Sequence, residues 1–581
     1  MKRSLPLILF LLASACVSAP PKAPAPPEHI VVVGTTDVHG WFNGHVETPE
    51  GGGEGVVWGG LPAFSSYVEA LRKENPGRVV LVDSGDMWQG TLESNMFEGE
   101  AVVRGYNLIG YAAAAVGNHE FDYGPTGPDS IARTPEQDEL GALKRNAALA
   151  SFPFLSANMV EKSNGKTPDW AKKYTIVRAG NAKIGIIGLS TPDTPNVTMA
   201  ANVVNLSFTD PIPATVAAAK ELRAQGVDAI VLIAHIGSRC RDLHDSYDPS
   251  SCDFNTEAWE FLQKLPKGTV DAFFAGHTHA QMRHFINGVP AAQGAAYSRE
   301  FSVIDLWVDT AGDKVTKSEI RLPTMICTHV YEGSQQCDPR NGKGAKLVPR
   351  VFEGATIEPD QRVVRVVDPF LRRVAAKRDQ KLNITVANRF TRSFTGETAL
   401  GDLIADALRQ YAATDFAFFN SGGIRSDLPA KELVYADVFA VSPFDNYPAI
   451  VKMTGAQIAE VLRLTTTGVR GIMQVSGLKY TVDAAKDNDK PADDRNRILS
   501  VTREDGTPLD PNALYTVAMP DFIAAGGDNT QTVMNAIPRD RVQISYARPI
   551  RDVLAEQWAK LAQPLAPKTY GRITVLNLPA Q

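Results

Sequence analysis

Five short apolar runs in the first half of the chain are each followed by residues that commonly bind metal ions. All ten histidines lie between His29 and His329. After residues 30–33, 79–82, 111–116, 230–234 and 272–275 come, in order, Asp37 and His39; Asp86; Asn118, His119 and Asp122; His235; and His277 and His279. Their oxygen and nitrogen donors suit Mn²⁺, Zn²⁺, Fe or Co, and a carboxylate can bridge two such ions. The pattern predicts a two-metal hydrolase that acts on phosphoryl groups.

The apolar runs are the elements that must position these side chains. They are short, rich in strand-forming residues, and alternate with helical stretches such as residues 61–73 and 213–224. This alternation predicts an α/β layered domain, in which ligands collect at the carboxyl ends of strands. A single histidine after a strand is usually structural, but five such groups together favour a metal site.

Four motifs and one isolated histidine carry a resemblance to a known family. Asp37-Val38-His39, Gly85-Asp86, Gly117-Asn118-His119-Glu120 and Gly276-His277-Thr278-His279, with His235 between, resemble the signature of calcineurin-like metallophosphoesterases. The resemblance implies a four-layer α/β sandwich over residues 28–352 and two divalent ions, Zn, Mn, Co or Fe. One ion would be held by Asp37, His39, Asp86 and His279, and the other by Asp86, Asn118, His235 and His277. Asp83, three residues before Asp86, is expected either to support the metal ligands from behind or to be a loop residue, and not to bind metal.

His119 and Asp122 match the catalytic pair of the 5'-nucleotidase branch of that family. There the histidine lies beside the phosphate without binding metal, where it can stabilise charge or protonate a leaving oxygen, while the aspartate orients its ring. Many 5'-nucleotidases carry Gln where His279 stands. This difference bears on the identity of the metal more than on the class of reaction.

The second half of the chain predicts a separate substrate-binding domain. Residues 353–380 are charged and helical in pattern, interrupted by Pro359 and Pro369, and predict a linker helix or hinge. Beyond it, residues 381–581 mix strand-type and helical patterns, including a capping box at Thr454 and Gln457. This predicts a second α/β domain. Residues 420–425, 443–446, 474–478 and 522–528 resemble the C-terminal domain of 5'-nucleotidases.

That second resemblance implies a nucleotide site. Phe444 and Phe522 correspond to rings that sandwich the base, Asp528 to the residue that binds the ribose hydroxyls, and Arg425 to an anion contact. Both phenylalanines could instead be core residues, but the flanking Gly, Pro and Asp residues place them in loops, where stacking on a base is physically reasonable. Further expected contacts are Arg389, Arg392, Asn420, Gly423 and Asn446, with surface charge as the alternative for the two arginines.

The charge and hydropathy of the chain limit the classes of partner that it is expected to bind. The chain has 59 Lys plus Arg against 65 Asp plus Glu, a formal charge of -6, which argues against a nucleic-acid polymer as ligand. Beyond the amino terminus no apolar run approaches the roughly 18 to 20 residues of a membrane-spanning helix. The expected partner is a small nucleotide, and the oligomeric state is left open.

The amino terminus predicts export. Lys2 and Arg3 precede an apolar run over residues 5–15, the layout of a secretory signal. Residues 12–16 resemble a bacterial lipobox, which would lipidate Cys16; ordinary cleavage after Ala15 or Ala19 is the alternative. Residues 1–27 therefore form a signal peptide with a proline-rich tether. We expect a periplasmic or cell-surface protein, attached to the membrane only through lipid on Cys16.

Four further cysteines, Cys240, Cys252, Cys327 and Cys337, are expected to form two disulfides in an oxidising compartment, in any of three pairings. A zinc site is the competing hypothesis, although no Cys-x-x-Cys spacing supports it. The function that unites these predictions is an exported 5'-nucleotidase that cuts nucleoside monophosphates, and nucleotide sugars or diphosphates as further substrates, by in-line attack of metal-activated water. The alternatives are a periplasmic relative that acts on 2',3'-cyclic nucleotides or sulfur-carrier conjugates, and a catalytically silent nucleotide-binding lipoprotein.

Overall fold

A computed structural model describes residues 26–49, 53–342, 345–466, 471–484 and 497–577. The predicted signal peptide and Cys16 lie outside the described residues. The chain is mixed α/β and forms two domains, so the predicted fold class is confirmed. Within the described ranges, no helix has the length and apolarity needed to cross a membrane.

Two sheets form the centre of the N-terminal domain. The strands of the first run, in order across the sheet, Lys314–Ile320, Glu300–Asp309, Glu28–Thr35, Val79–Asp83, Ala113–Ala115 and Phe154–Leu155, with Thr324–Met325 paired to the second of these. Those of the second run Met282–Ile286, Val289–Gln293, Ala272–Phe274, Ala229–Ala234, Ala182–Leu189 and Tyr174–Ala179. The strands that precede the predicted metal residues are parallel to one another within each sheet.

Both faces of these central strands are apolar because both faces are covered. Ile30 and Val32 contribute to a core between the two sheets, together with Ile184 and Val231 of the second sheet. The outer faces carry the helices Leu61–Glu74, Glu100–Ile109, Gly141–Leu149 and Gln361–Arg378 on the first sheet and Pro211–Ala224 and Glu257–Lys264 on the second. The result is a helix, sheet, sheet, helix sandwich of four layers.

The predicted linker contains a helix that packs against the N-terminal domain. It spans Gln361–Arg378, begins after Asp360, whose side chain accepts the Arg362 N–H, and includes Pro369. Val363 and Val367 are buried in the same core as Val31. The apolar face of this helix therefore belongs to the first domain, whereas the predicted domain boundaries at residues 352 and 381 stay predictions.

The C-terminal domain is built on a five-stranded sheet. Its strands run, in order, Met473–Ser476, Phe416–Asn420, Leu514–Pro520, Pro448–Thr454 and Val542–Ile544; a three-stranded sheet contains Arg497–Arg503, Leu478–Asp483 and Ile573–Leu576. Helices Ala399–Ala412, Tyr435–Val441 and Ile550–Ala559 pack on one side and Gly455–Thr465 on the other. The last begins with the predicted capping box of Thr454 and Gln457.

Shorter elements connect these layers. Paired short strands are His45–Glu47 with Val56–Trp58, Met159–Glu161 with Leu206–Phe208, His329–Tyr331 with Leu347–Pro349, Val351–Phe352 with Ala355–Thr356, and Lys381–Thr385 with Glu432–Val434. Short helices are Leu92–Asn95, Thr194–Val197, Asp521–Ala524 and Gln531–Met534. Disulfides join Cys240 to Cys252 and Cys327 to Cys337, which is one of the three pairings that the sequence allows.

Candidate metal centre and substrate cavity

The predicted metal residues occupy the loops at the carboxyl ends of the central strands. Five of them adopt a left-handed backbone with φ between 49° and 76°, namely Asp37, His39, Asp86, His277 and His279. Residues other than glycine rarely adopt this conformation, which costs roughly 1 kcal/mol or more each, and such residues cluster at functional sites. The fold therefore stores backbone strain at this edge of the sandwich in order to turn these side chains inward.

The first predicted group converges on one point. The ligand atoms of Asp37, His39, Asp86 and His279 all lie within 4.8 Å of one another. His39 Nδ1 donates to the Gln89 carbonyl at 2.7 Å, so the lone pair of its Nε2 faces the group, 2.9 Å from His279 Nε2. Two ring nitrogens in such close approach beside buried carboxylates are an arrangement that a cation would stabilise.

The second predicted group shares Asp86 with the first. Ligand atoms of Asp86, His235 and His277 also lie within 4.8 Å of one another. His235 donates from Nδ1 to the Ser84 carbonyl at 2.9 Å, and its Nε2 lies 3.0 Å from Asp86 Oδ2 and 3.1 Å from Asn118 Oδ1. The donor set of both groups fits divalent ions of the Mn²⁺, Zn²⁺, Fe and Co type.

Burial sets the direction of the pKa shift at three of these groups. It raises the pKa of Asp37 to about 6 and lowers the pKa of His277 to about 3. It also lowers the pKa of His279 well below the usual range. Burial alone would also lower the pKa of His235. The adjacent Asp86 carboxylate outweighs burial there and raises the pKa to about 10. Without a metal ion, the Asp86–His235 pair therefore holds a proton that a bound cation would have to displace.

Glu120 is a supporting residue that sequence reasoning did not identify as part of the site. Its buried carboxylate accepts three backbone N–H groups, from Asp86 at 2.8 Å, Met87 at 2.8 Å and Gly117 at 2.6 Å. It therefore ties two loops together at Asp86, the residue that both ligand groups share. The sequence feature that could have indicated this role is the position of Glu120 directly after Asn118 and His119, in a motif assigned to metal binding and catalysis.

Asp83 lies outside both ligand groups, as expected, but it is the last residue of the strand Val79–Asp83 and not a loop residue. It accepts hydrogen bonds from the Thr35 hydroxyl at 2.6 Å, the Tyr106 hydroxyl at 2.8 Å and the Gly85 N–H at 2.8 Å. These bonds hold the loop that leads to Asp86.

His119 and Asp122 are next to the two groups but belong to neither. His119 Nδ1 donates to Asp122 Oδ2 at 2.6 Å, and Asp122 Oδ1 accepts the Thr198 hydroxyl at 2.7 Å. The His119 N–H donates to Asp86 Oδ1 at 2.9 Å, and its ring centre lies 5.3 Å from that of His39. Asp122 thus fixes the orientation of an imidazole beside the predicted metal residues, and Thr198, which sequence reasoning did not identify, fixes Asp122.

A cavity of about 470 Å³ lies between the two domains. The N-terminal domain contributes Asp86, Asn118, His119, His277 and His279 to its walls. The predicted substrate contacts that line it from the C-terminal domain are Arg392, Asn420, Gly423, Arg425, Phe444, Asn446, Phe522 and Asp528. Arg389 does not line this cavity; its side chain is 59% exposed and pairs with Asp427 at 2.9 Å.

Direct contacts join the two halves of the cavity. Arg425 Nη2 lies 3.3 Å from His39 Nε2, and the Phe444 ring centre lies 5.5 Å from that of His119. Asp528 accepts from Asn420 Nδ2 at 2.7 Å, and its own N–H donates to the Asn196 carbonyl of the N-terminal domain at 3.1 Å. Cations and aromatic rings from one domain therefore face the histidine and carboxylate cluster of the other.

A four-layer sandwich with two overlapping ligand groups, covered by a second α/β domain, defines a metal-dependent phosphoesterase. Residues 30–281 match the family model of calcineurin-like phosphoesterases, and residues 375–535 match that of the 5'-nucleotidase C-terminal domain. The chain belongs to the family of metallophosphoesterases that combine these two domains, and the resemblance predicted from the motifs is confirmed. This family implies divalent metal ions.

Relatives extend over nearly the whole chain. Endonuclease YhcR of Bacillus subtilis is 26% identical over 89% of this chain, although the chain spans only 39% of that protein. The 5'-nucleotidase of Vibrio cholerae is 27% identical over 91% of this chain and 92% of its own length. The crystal structure of the 5'-nucleotidase precursor from Thermus thermophilus shares the fold, with a TM-score of 0.73, 24% identity, and coverage of 95% of this chain and 100% of that one.

Proposed function

We propose that this protein is an exported dimetal 5'-nucleotidase that hydrolyses nucleoside 5'-monophosphates to nucleoside and phosphate, with nucleotide sugars and diphosphates as further substrates. The observation that carries the proposal is the interdomain cavity, in which Arg425 of the second domain lies 3.3 Å from His39 of the first. Its volume is typical of small-molecule sites. A relative named 5'-nucleotidase aligns with 91% of this chain.

In this proposal Asp37, His39, Asp86 and His279 hold one ion, and Asp86, Asn118, His235 and His277 hold the second. Bound ions supply Lewis acidity that activates water and offsets the negative charge of the phosphate. The convergence of the ligand atoms within 4.8 Å supports this assignment. Whether the native metal is Zn, Mn, Co or Fe is a question for elemental analysis.

His119 would act on the leaving oxygen. Because Nδ1 donates to Asp122 at 2.6 Å, the second ring nitrogen is free to face the cavity and to deliver a proton. Asp122 accepts at both carboxylate oxygens, from His119 and from Thr198, and so holds the ring in one orientation and stabilises its charged form.

The C-terminal domain would bind the nucleoside. Phe444 and Phe522 would stack on the base, since aromatic faces tolerate every base, and Asp528 would accept from the ribose hydroxyls. Arg425 and Arg392 would contact the phosphate. The remaining cavity residues Asn420, Gly423 and Asn446 would shape the sugar and base contacts. A substrate contact of Arg389 stays a prediction. It has no support from the cavity, because Arg389 pairs with Asp427 and does not line the cavity.

A substrate panel tests this function. Purified protein, loaded with each candidate metal in turn, is assayed for release of phosphate or nucleotide from AMP, UMP, UDP-glucose and 2',3'-cyclic AMP. We expect the highest kcat/KM for a 5'-monophosphate. A clear preference for the cyclic nucleotide would assign the protein to the cyclic phosphodiesterase alternative, and tight nucleotide binding without turnover would make it a binding protein.

Export and anchoring at Cys16 form a separate part of the proposal. They are supported by the signal-like residues 1–27 and by the two disulfides, which persist in oxidising compartments. Oligomeric state does not enter the proposal.

A further inference from the structure

The cavity has a second end, beyond the predicted metal residues. A series of ring contacts crosses the cavity, in which each ring lies next to the following one. The distances between successive ring centres are 5.5 Å for Phe444–His119, 5.3 Å for His119–His39, 4.7 Å for His39–His279 and 5.2 Å for His279–Tyr297. The predicted metal residues thus lie between Phe444 and Tyr297. We name the end beyond His279 the distal lobe; it is lined by Arg239, Ala280, Ala295, Ala296, Tyr297 and Arg299.

The distal lobe has small walls and one strained aromatic residue. Ala280, Ala295 and Ala296 leave room beside the predicted metal centre. Tyr297 has a left-handed backbone with φ of 66°, and Ser298 follows with φ of 55°. The Tyr297 hydroxyl is buried and has no hydrogen-bond partner among the described residues. A buried hydroxyl left in this state costs free energy that a ligand acceptor would recover.

Arg239 is the cation of the distal lobe without a counter-ion. Its Nε is buried and has no hydrogen-bond partner, and no carboxylate of the described ranges forms an ion pair with it. Arg299, by contrast, pairs with Glu47 at 2.7 Å and lies 4.7 Å over the Trp58 ring. Glu300 also lies at the lobe, where its carboxylate accepts the Ala295 N–H at 2.9 Å. Arg239 is therefore the lobe-lining arginine that is available to pair with a ligand anion.

The backbone around Arg239 is fixed to the metal-binding loop. The Ser238 carbonyl accepts the Thr278 hydroxyl at 2.7 Å, and the Cys240 N–H donates to the Gln281 carbonyl at 2.9 Å. Cys240 is also joined to Cys252 by a disulfide. Since the residues on both sides of Arg239 are held, its side chain is delivered to the lobe from a rigid support, which lowers the entropic cost of binding a ligand.

We propose that the distal lobe binds an oxyanion on the substituent that lies on the far side of the phosphoryl group being cleaved. Arg239 forms an ion pair with this carboxylate or phosphate, and the Tyr297 hydroxyl donates a hydrogen bond to it. The inference rests on the proposed function and deepens it. The favoured ligands are nucleoside diphosphates in which the group attached to the terminal phosphate carries a negative charge. Those in which this group is neutral should bind less tightly.

UDP-glucuronic acid and UDP-glucose provide the matched probes, because they differ only by a carboxylate in place of a hydroxymethyl group. Their dissociation constants are measured by calorimetry on metal-loaded protein in the His119→Ala background, in which turnover is slowed, and the ligand that remains intact is quantified after each titration. We expect UDP-glucuronic acid to bind roughly tenfold or more tightly than UDP-glucose, as for a hydrogen bond to a charged group. UDP-glucose carrying a 6-phosphate shows whether phosphate serves as well as carboxylate.

Variants then assign the preference to the lobe. Adding Arg239→Gln should bring the ratio of the two constants close to one, Arg239→Lys should restore part of it, and Tyr297→Phe should reduce it without abolishing it. The matched control is Arg241→Gln, an exposed arginine two residues further along the same loop that does not line the cavity, and it should keep the wild-type ratio.

Equal binding of the two probes in the parent protein, or an undiminished ratio in Arg239→Gln, would overturn the inference. UMP hydrolysis by the unmodified protein is assayed in parallel. Absence of that hydrolysis contradicts the proposed function, whereas the ratio of dissociation constants tests the lobe independently of it.

Discussion

Asp122→Asn tests how the structure would deliver a proton to the leaving group. In the wild-type chain, Asp122 accepts from His119 Nδ1 at 2.6 Å and from the Thr198 hydroxyl at 2.7 Å. In the variant, the amide oxygen would keep the Thr198 bond, and the amide NH2 would face His119 Nδ1 as a second donor. The imidazole would then keep its proton on Nε2 in the neutral form, and its charged form would lose the carboxylate.

The expected size of the effect follows from that lost bond. A hydrogen bond to a charged group contributes about 1.5 to 3 kcal/mol, which corresponds to roughly 10- to 150-fold in rate. Complete loss of general acid catalysis would cost roughly 10² to 10⁴-fold. We therefore expect kcat for AMP to fall about a hundredfold in Asp122→Asn and further in His119→Ala.

The assay compares AMP with p-nitrophenyl phosphate, whose leaving group departs readily without protonation. The aryl phosphate should lose less than about tenfold in kcat, because it does not need the acid. Metal content should stay at the wild-type level, because neither residue belongs to the two ligand groups. Asp242→Asn is the matched control, because it makes the same change in an exposed Asp–His pair, in which His244 Nδ1 lies 2.9 Å from Asp242 Oδ1. This pair has no part in the proposed proton transfer. Equal losses for both substrates, or loss of metal, would refute the reasoning.

Three further predictions address the metal centre, the base contacts and the anchor. Asp86→Ala and His235→Ala should each lose bound metal and AMP turnover. The metal affinity of the wild-type protein should rise with pH up to about 10, because the proton held at His235 must leave before a cation binds. Calorimetry at several pH values shows whether the affinity rises or falls with pH. Phe444→Ala with Phe522→Ala should raise the AMP KM by removing stacking of roughly 1 to 3 kcal/mol per base, while an aryl phosphate keeps most of its kcat/KM; equal losses would contradict base stacking. Cys16→Ala should abolish lipid attachment, and mass spectrometry showing a native amino terminus at Val17 or later would exclude the anchor.

The sequence predicts the sheet and the position of the metal residues because both depend on local pattern. The apolar run at residues 30–33 lies within the strand Glu28–Thr35, and residues 79–82 lie within Val79–Asp83. Strand ends are less well predicted: residues 111–116 contain a strand only over Ala113–Ala115, which pairs with Val82 and Asp83 on one side and with Phe154 and Leu155 on the other.

Contacts between distant parts of the chain are beyond what local pattern can indicate. Nothing in the spacing shows that Glu120 binds three amides of two loops, or that Arg389 turns away to Asp427. The predicted linker helix is recognisable, but its packing against the helices Leu61–Glu74 and Glu100–Ile109 depends on partners distant in sequence. The distal lobe is in the same category, because Arg239 and Tyr297 come to line one cavity only in the folded protein.

Stoichiometric metal titration of the purified, metal-free protein tests the central claim most directly. Phosphate release from AMP is measured while Mn²⁺ or Zn²⁺ is added, and bound metal per chain is determined by elemental analysis at each step. The two overlapping ligand groups predict that turnover is absent without metal and reaches its maximum only when two ions are bound per chain. Full AMP turnover in protein that contains no ion, or a maximum already reached with one ion per chain, would contradict the two-metal account.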